Sequence, residues 1–406
     1  MKVSALVIGA GVIGSSVAYH LARLGMSDVR VIDPDLGGAL SSSELNAGGV
    51  RATFGQAINV EMSKLSIEFF AAHRDDTGYR DVGYLWLKTP EMMTASKNAT
   101  ELHRRLGWPV ETWDVAELRK RVPFIDKTDD LAGAVFAPKD GLVNPNLVKN
   151  FYRNEARKLG VVFDDRTVLR GIEEVSPTEV DVQCVRIGVL SHEDKVRLYS
   201  GEDVITAGEV HYRAGVVINC AGAWAGEVAR ALQYDSPAFP LRRQISVFDC
   251  RDVDLTHYGM IVDTSGVYFH PEATNGLAGF AVKEEKPQVN FAYDGEAFFT
   301  EYIWPALYER ASGFERLRHL TGWAGLYDVS PDESAIIGQA TQGRRQKFLP
   351  VYEAHSFSGH GVMHCQAAGI ALAELIVNGK YTTLDAGPLS AERFTTGELL
   401  HEGAVI

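Results

Sequence analysis

The sequence predicts an α/β protein, α+β overall, that begins with a Rossmann-like βαβ unit and builds a second core elsewhere. Three observations predict it. A short apolar run, Val3 to Ile8, meets a glycine-rich turn; helical spacing and a second short strand follow by Ile32; and 406 residues are enough for two cores. With 46% hydrophobic and 23% charged residues, the composition is that of a folded globular chain rather than a disordered one.

Val3 to Ile8 has only Ser4 as a polar interruption, the pattern of a parallel strand buried on both faces. It leads into Gly9-Ala10-Gly11-Val12-Ile13-Gly14. Ser15 to Leu24 then places Val17, Leu21 and Leu24 at helical spacing, with Gly25 as a stop. The second strand, Val29 to Ile32, ends in Asp33-Pro34.

Gly9 permits the strand-to-helix turn, Gly11 lets a pyrophosphate approach the N–H groups of the helix start, and Gly14 lets the helix pack on the strands. Asp33 lies 19 positions after Gly14, where its carboxylate accepts from a ribose hydroxyl pair and repels a 2′-phosphate. Gly9, Gly11, Val12, Ile13, Gly14, Asp33 and Pro34 are therefore candidate cofactor contacts. They do not separate NAD from FAD.

The stretch after Asp33 bears on that choice. Gly37 to Arg51 is rich in small and hydroxylic residues where an NAD-binding fold would move directly to its next helix. Ser41, Ser42 and the Gly48-Gly49 pair are suited to hugging a cofactor that extends beyond its adenosine half. A flexible linker is the alternative on composition alone.

Net charge is −13 and the sequence pI about 5.4, a balance that repels nucleic-acid phosphates and anionic headgroups. Stretches such as Ile370 to Val377 fall short of the roughly 18 to 20 apolar residues of a membrane span. No nucleic-acid partner and no membrane span are expected, and the first residues do not read as a signal peptide. Cys184, Cys220, Cys250 and Cys365 lack metal-ligand spacing, so free thiols, no metal and a cytoplasmic setting are expected.

Later segments, in their order and spacing, bring the chain to a known family. They are Val82 to Leu87, Gly141 to Pro145, Val216 to Ala225, Pro240 to Gln244, Gly266 to Pro271, Gly325 to Asp332 and Phe357 to Gly361. Together with the N-terminal unit they resemble the FAD-dependent oxidoreductases of the D-amino-acid oxidase type. That group includes sarcosine oxidases, glycine oxidase, dimethylglycine dehydrogenase and dye-linked proline dehydrogenases. The resemblance covers nearly the whole chain.

It implies FAD as cofactor and a binding domain of the glutathione-reductase type, discontinuous over residues 1–85, 146–224 and 325–395. Residues 86–145 and 225–324 would form a substrate domain on a mixed or antiparallel sheet, leaving 396–406 as a C-terminal tail. Strand-like Gln244 to Phe248, Met260 to Val262 and Val267 to Phe269 agree with that plan. Further implied cofactor contacts are Asn46, Ala47, Gly48, Gly49, Arg51, Val168, Ala221, Gly222, Trp224, Gly325 and Tyr327. The turn Gly359, His360, Gly361, Val362 and Met363 completes the set, aiming a helix N-terminus at the flavin pyrimidine ring.

Arg51 aligns with an arginine that sarcosine oxidases use near substrate; the alternatives are a surface or flavin-phosphate role. Tyr268 and His270, on one face of a predicted strand, would line the substrate cavity, or else be plain core residues. Trp323 and Tyr327 are candidate pocket walls. His360 is either a catalytic group or a turn residue.

Departures from the family refine the expectation. Gly325 stands where some sarcosine oxidases carry a flavin-bonding cysteine, and Asn46 stands on or near the bonding histidine of dimethylglycine dehydrogenase, so FAD is expected to be non-covalent. Met363 replaces a carboxylate-binding lysine. The oxygen-activating lysine of monomeric sarcosine oxidase falls near Ala278, with Lys283 close by. The resemblance therefore implies oxidation of a C–N bond in an amino acid or secondary amine, by a dehydrogenase that passes electrons to a quinone, a flavoprotein or a second subunit. Two alternatives stay open: C–O oxidation of a hydroxy acid or glycerol phosphate, and a non-catalytic flavin-bound assembly protein.

Overall fold

The computed structural model describes residues 1–176, 178–202, 205–343 and 350–403. Among them, strands build two large sheets. The first runs in the order Ile336–Gln339, Val351–His355, Thr206–Asn219, Lys2–Ile8, Val29–Ile32, Val162–Asp164, and the antiparallel pair Thr167–Ser176 and Glu179–Ile187 hangs from Thr206–Asn219. Lys2–Ile8 has parallel neighbours on both sides, which is why its run is apolar rather than alternating: Val3, Ala5, Leu6 and Val7 are all buried.

Helix Val12–Arg23 begins inside the glycine motif, three residues before the sequence expectation, because Gly11 stays extended and acts as its N-cap. It packs on helix Gly361–Asn378 so closely that a Cβ on Gly369 would lie 2.2 Å from Ser16 Oγ. Ser16 Oγ donates to Cys365 O at 2.8 Å, and His20 Nε2 lies 3.0 Å from Gln366 Oε1. Helix Gly361–Asn378 is long and apolar enough to cross a bilayer by length and composition, yet 67% of it is buried inside the protein.

The second sheet runs Arg318–Val329, Phe239–Asp249, Asn275–Phe280, Tyr268–Glu272, Met260–Val262, Tyr84–Lys88, Gly133–Ala137, Glu111–Trp113. Its pairs are antiparallel except for Met260–Val262 beside Tyr84–Lys88. Of the mixed or antiparallel sheet that the resemblance implies, it is the mixed form. The strand expected over Val267 to Phe269 begins one residue later and continues to Glu272, because its hairpin partner Asn275–Phe280 pairs with it as far as Glu272. A separate core of Leu85, Phe248, Phe269 and Phe314 lies against this sheet.

Of the predicted tail, residues 404–406 lie outside the described residues, as do 344–349 of the third predicted segment. Glu402 is fully buried. Its carboxylate accepts from the N–H groups of Gly55 at 2.9 Å and Gln56 at 3.1 Å and from Asn59 Nδ2 at 3.0 Å, at the start of helix Ala57–Ala72. An anion there complements the helix dipole.

Candidate functional site

One long groove runs from the glycine turn, across the Ser41 to Arg51 loop, to the edge of the second sheet. Gly9 has φ +101°, and a Cβ there would sit 2.4 Å from Cys220 O, so both backbone and space require glycine. Asp33 closes the end of the second strand. Its Oδ2 accepts from Ala10 N at 2.7 Å and its Oδ1 from Asp35 N at 2.8 Å. Burial pushes its carboxyl up to about 6, against those two N–H groups, which favour the ionised form.

These residues fit a dinucleotide: a carboxylate for a ribose diol, a glycine turn and the start of Val12–Arg23 for a pyrophosphate. The Ser41 to Arg51 loop is tied down, unlike a linker. Ser42 Oγ donates to Leu326 O at 2.5 Å, Asn46 Oδ1 accepts from Gly48 N at 2.6 Å, and Glu44 pairs with the nearly buried Lys149. The groove therefore continues past the pyrophosphate position for a second moiety, as FAD requires. Asn46 and Gly325, both lining it, have no nucleophile with which to bond a flavin.

At the far end Arg51 is 1% exposed. Its Nη1 donates to Thr53 O at 2.8 Å, its Nη2 lies 3.4 Å from His360 Nε2, and its guanidinium stands 4.0 Å from the Phe54 ring centroid and 5.1 Å from that of Trp86. Burial, then Arg51, then His364 hold His360 well below the ordinary histidine range, so its imidazole is neutral. Tyr84, Tyr268 and Tyr327 line the same end, and Tyr268 and Tyr327 are hydrogen-bonded to each other. Glycines make their room. A Cβ on Gly49 would lie 2.5 Å from the Tyr84 hydroxyl, and one on Gly359 2.3 Å from Tyr327 Cε2.

All the predicted contacts line this groove except Gly14, Gly48 and His270. Gly14 serves packing alone, since a Cβ there would meet Gly9 O at 1.9 Å. Gly48, at φ +80°, lies against Val143 O. His270 shares the Tyr268 face but sits two residues, about 6–7 Å, further along the strand. There its Nδ1 lies 2.8 Å from Pro271 O and its ring meets the Ala47 backbone, outside the groove. Trp323 is also outside the groove, donating from Nε1 to Leu45 O at 3.0 Å, whereas Tyr327 lines it.

Sequence reasoning missed several groups. Ser43 lines the groove beside Ser41 and Ser42 and accepts from Val12 N at 3.0 Å. Arg153, on helix Pro145–Lys158, donates to Ala10 O and, at 2.6 Å, to Leu36 O, bracing both the turn and the loop. Arg243 and Tyr84 line the far end from inside segments already noted in the sequence, which was the available signal. Asp140 lies behind Arg51, accepting from Ala52 N at 3.0 Å and Trp108 Nε1 at 2.8 Å, with burial pushing it to about 7. All four cysteines are buried and free.

A family model described as FAD dependent oxidoreductase matches residues 4–375. A Xenopus laevis protein named FAD-dependent oxidoreductase domain-containing protein 1 is 29% identical, across 100% of this chain and 85% of its own length. Mitochondrial dimethylglycine dehydrogenase of Rattus norvegicus is 24% identical across 97% of this chain and 45% of its own length. L-proline dehydrogenase from P. horikoshii superposes with a TM-score of 0.82 at 24% identity, covering 98% of this chain and 99% of that one. Glycine oxidase from Geobacillus kaustophilus gives 0.77 at 19%, covering 96% and 98%.

Proposed function

The chain belongs to the family of FAD-dependent oxidoreductases, and from that premise we propose that it oxidises a C–N bond of an amino acid or N-alkyl amine and works as a dehydrogenase. The observation that carries the reading is the far end of the groove, where the buried Arg51 guanidinium and Arg243 open among three tyrosines. Two forked cations suit a substrate carboxylate. They also disfavour a protonated amine beside them, which keeps the nitrogen lone pair free.

When bound, FAD supplies the two-electron acceptor for the hydride that leaves the carbon next to nitrogen. The chain's own residues position. Tyr84, Tyr268 and Tyr327 wall the end of the groove against water, and neutral His360 offers Nε2 as an acceptor without adding a third cation. The relatives named for dimethylglycine and proline dehydrogenation support the C–N reading, as does N-methyl-L-tryptophan oxidase of Yersinia pestis.

The dehydrogenase reading is supported by the cations. Ala278 is buried in the core of the second sheet, and Lys283 is exposed. Among the described residues lining the groove the cations are Arg51, Arg153 and Arg243, with no lysine. The electron acceptor is then a quinone, a flavoprotein or a second subunit. Four buried free thiols support work in a reducing compartment such as the cytoplasm.

Anaerobic mixing of the holoenzyme with amino acids, N-methyl amino acids and hydroxy acids tests the function. Bleaching at the flavin band by the first two classes is expected. Bleaching by hydroxy acids alone would point to C–O oxidation, and none with any donor to an assembly role. Rapid reoxidation by air, followed by stopped-flow absorbance, would overturn the dehydrogenase assignment.

A further inference from the structure

Between strands Glu179–Ile187 and Thr206–Asn219 the chain leaves the first sheet and forms a short helix, His192–Tyr199. Ser191 begins it with a reciprocal capping box: its hydroxyl accepts from Asp194 N at 3.1 Å while the Asp194 carboxylate accepts from Ser191 N at 3.3 Å. None of its eight residues is buried, and neither Leu198 nor Tyr199 joins a hydrophobic core. Yet both line the groove, at the end marked by Asp33.

What holds the helix there is specific and small. Lys195 Nζ lies 2.9 Å from Asp35 Oδ2, in a pair whose side chains are 22% and 12% exposed, and Asp35 N in turn donates to Asp33. At the C-terminal end Tyr199 O accepts from Trp224 Nε1 at 2.8 Å, and the Tyr199 and Trp224 rings stand 4.5 Å apart. Trp224 lines the groove from a different part of the chain, just after strand Thr206–Asn219. Among the described residues the helix is fastened by one ion pair, one hydrogen bond and one ring contact, and such an element opens at far lower cost than one rooted in a core.

We propose that helix His192–Tyr199 is a clasp on the adenosine half of FAD. Leu198 and Tyr199 close the groove over that half, and Lys195 latches the helix to Asp35, next to the carboxylate that takes the ribose. With no covalent bond to the flavin, retention of the cofactor then depends on the clasp staying shut. The proposal rests on the cofactor and not on the substrate class, so its test does not involve turnover.

FAD release is measured from the reconstituted full-length protein, by recovery of flavin fluorescence after dilution, alongside the dissociation constant. Loss of an aromatic contact and a partly buried ion pair in a Lys195→Ala/Tyr199→Ala double variant is expected to speed release about tenfold or more. Arg197→Ala, on the same helix but paired outward with Glu202, is expected to leave release unchanged. The apoproteins' circular dichroism and melting temperatures establish that the variants fold alike. In the parent protein, saturating FAD is expected to slow tryptic cleavage after Lys195 and Arg197. Release within about twofold of the parent in the double variant, or cleavage indifferent to FAD, would overturn the proposal.

Discussion

Arg51 Nη2 and His360 Nε2 stand 3.4 Å apart in the buried end of the groove, a spacing that two cations would not keep. The imidazole is the group that gives way, since burial and the guanidinium both disfavour its charged form. Arg51 is thereby left as the charged donor. With the donor substrate identified by bleaching, Arg51→Gln is expected to lower kcat/KM by about 10- to 150-fold, the value of a hydrogen bond to a charged group. Unchanged flavin absorbance with a raised KM supports the substrate role; loss of bound flavin at constant KM would reassign Arg51 to the cofactor.

Asp33 makes FAD binding pH-dependent. Its carboxyl is pushed to about 6 by burial, and ribose hydroxyls donate to the ionised form. Binding therefore favours loss of the proton, and affinity should fall as pH drops through about 6, by up to about tenfold per pH unit. Titrations of apoprotein with FAD from pH 5 to 8 measure this. Asp33→Asn should bind more weakly with a flat profile, and a flat profile in the parent would contradict the assignment.

The buried histidines withdraw stability in acid. Burial, foremost, lowers His20 from 6.5 to about 4 and His364 to about 3. The unfolded chain then binds these protons first, so the stability from each neutral imidazole is full above about 6.5 and is lost as pH falls toward the folded values. Asp33 and Asp140 are raised and act with the opposite sign by a comparable amount, so the histidine contribution is read from the difference between variant and parent rather than from the parent's own slope. Between pH 6.5 and 4, urea unfolding of a His20→Gln variant should change by about 2–3 kcal/mol in the variant's favour relative to the parent.

Gly359 carries both a backbone and a space requirement. Its φ is +90° and a Cβ would lie 2.3 Å from Tyr327 Cε2, whereas Gly379, at φ +70°, has open space around it. Gly359→Ala should cost about 2–4 kcal/mol and disturb Tyr327, against about 1 kcal/mol for Gly379→Ala. Denaturant midpoints of the two variants check the difference; equal costs would mean that the Tyr327 ring moves aside freely.

The cofactor end was legible because its requirements are local. A turn at φ +101°, a helix start and an acid at the next strand end fall within 33 consecutive residues, and each has a residue type that little else explains. Tyr268 and His270 mark where such reasoning stops. Alternation placed them on one face, but only the tertiary structure decides that Tyr268 meets the groove while His270 lies outside it, against the Ala47 backbone.

By itself, then, the sequence determined a dinucleotide unit, its extension toward FAD and the absence of a bonding residue at Asn46 and Gly325. The tertiary structure decided the rest: that Arg153 braces the glycine turn from 143 residues away, that Arg243 shares an end with Arg51, and that a helix of no core reaches Asp35. Spacing along the chain encodes dihedral and hydrogen-bonding demands within a turn or strand. Which side chains converge on a groove depends instead on how two sheets and their connections pack, and no local pattern carries that information.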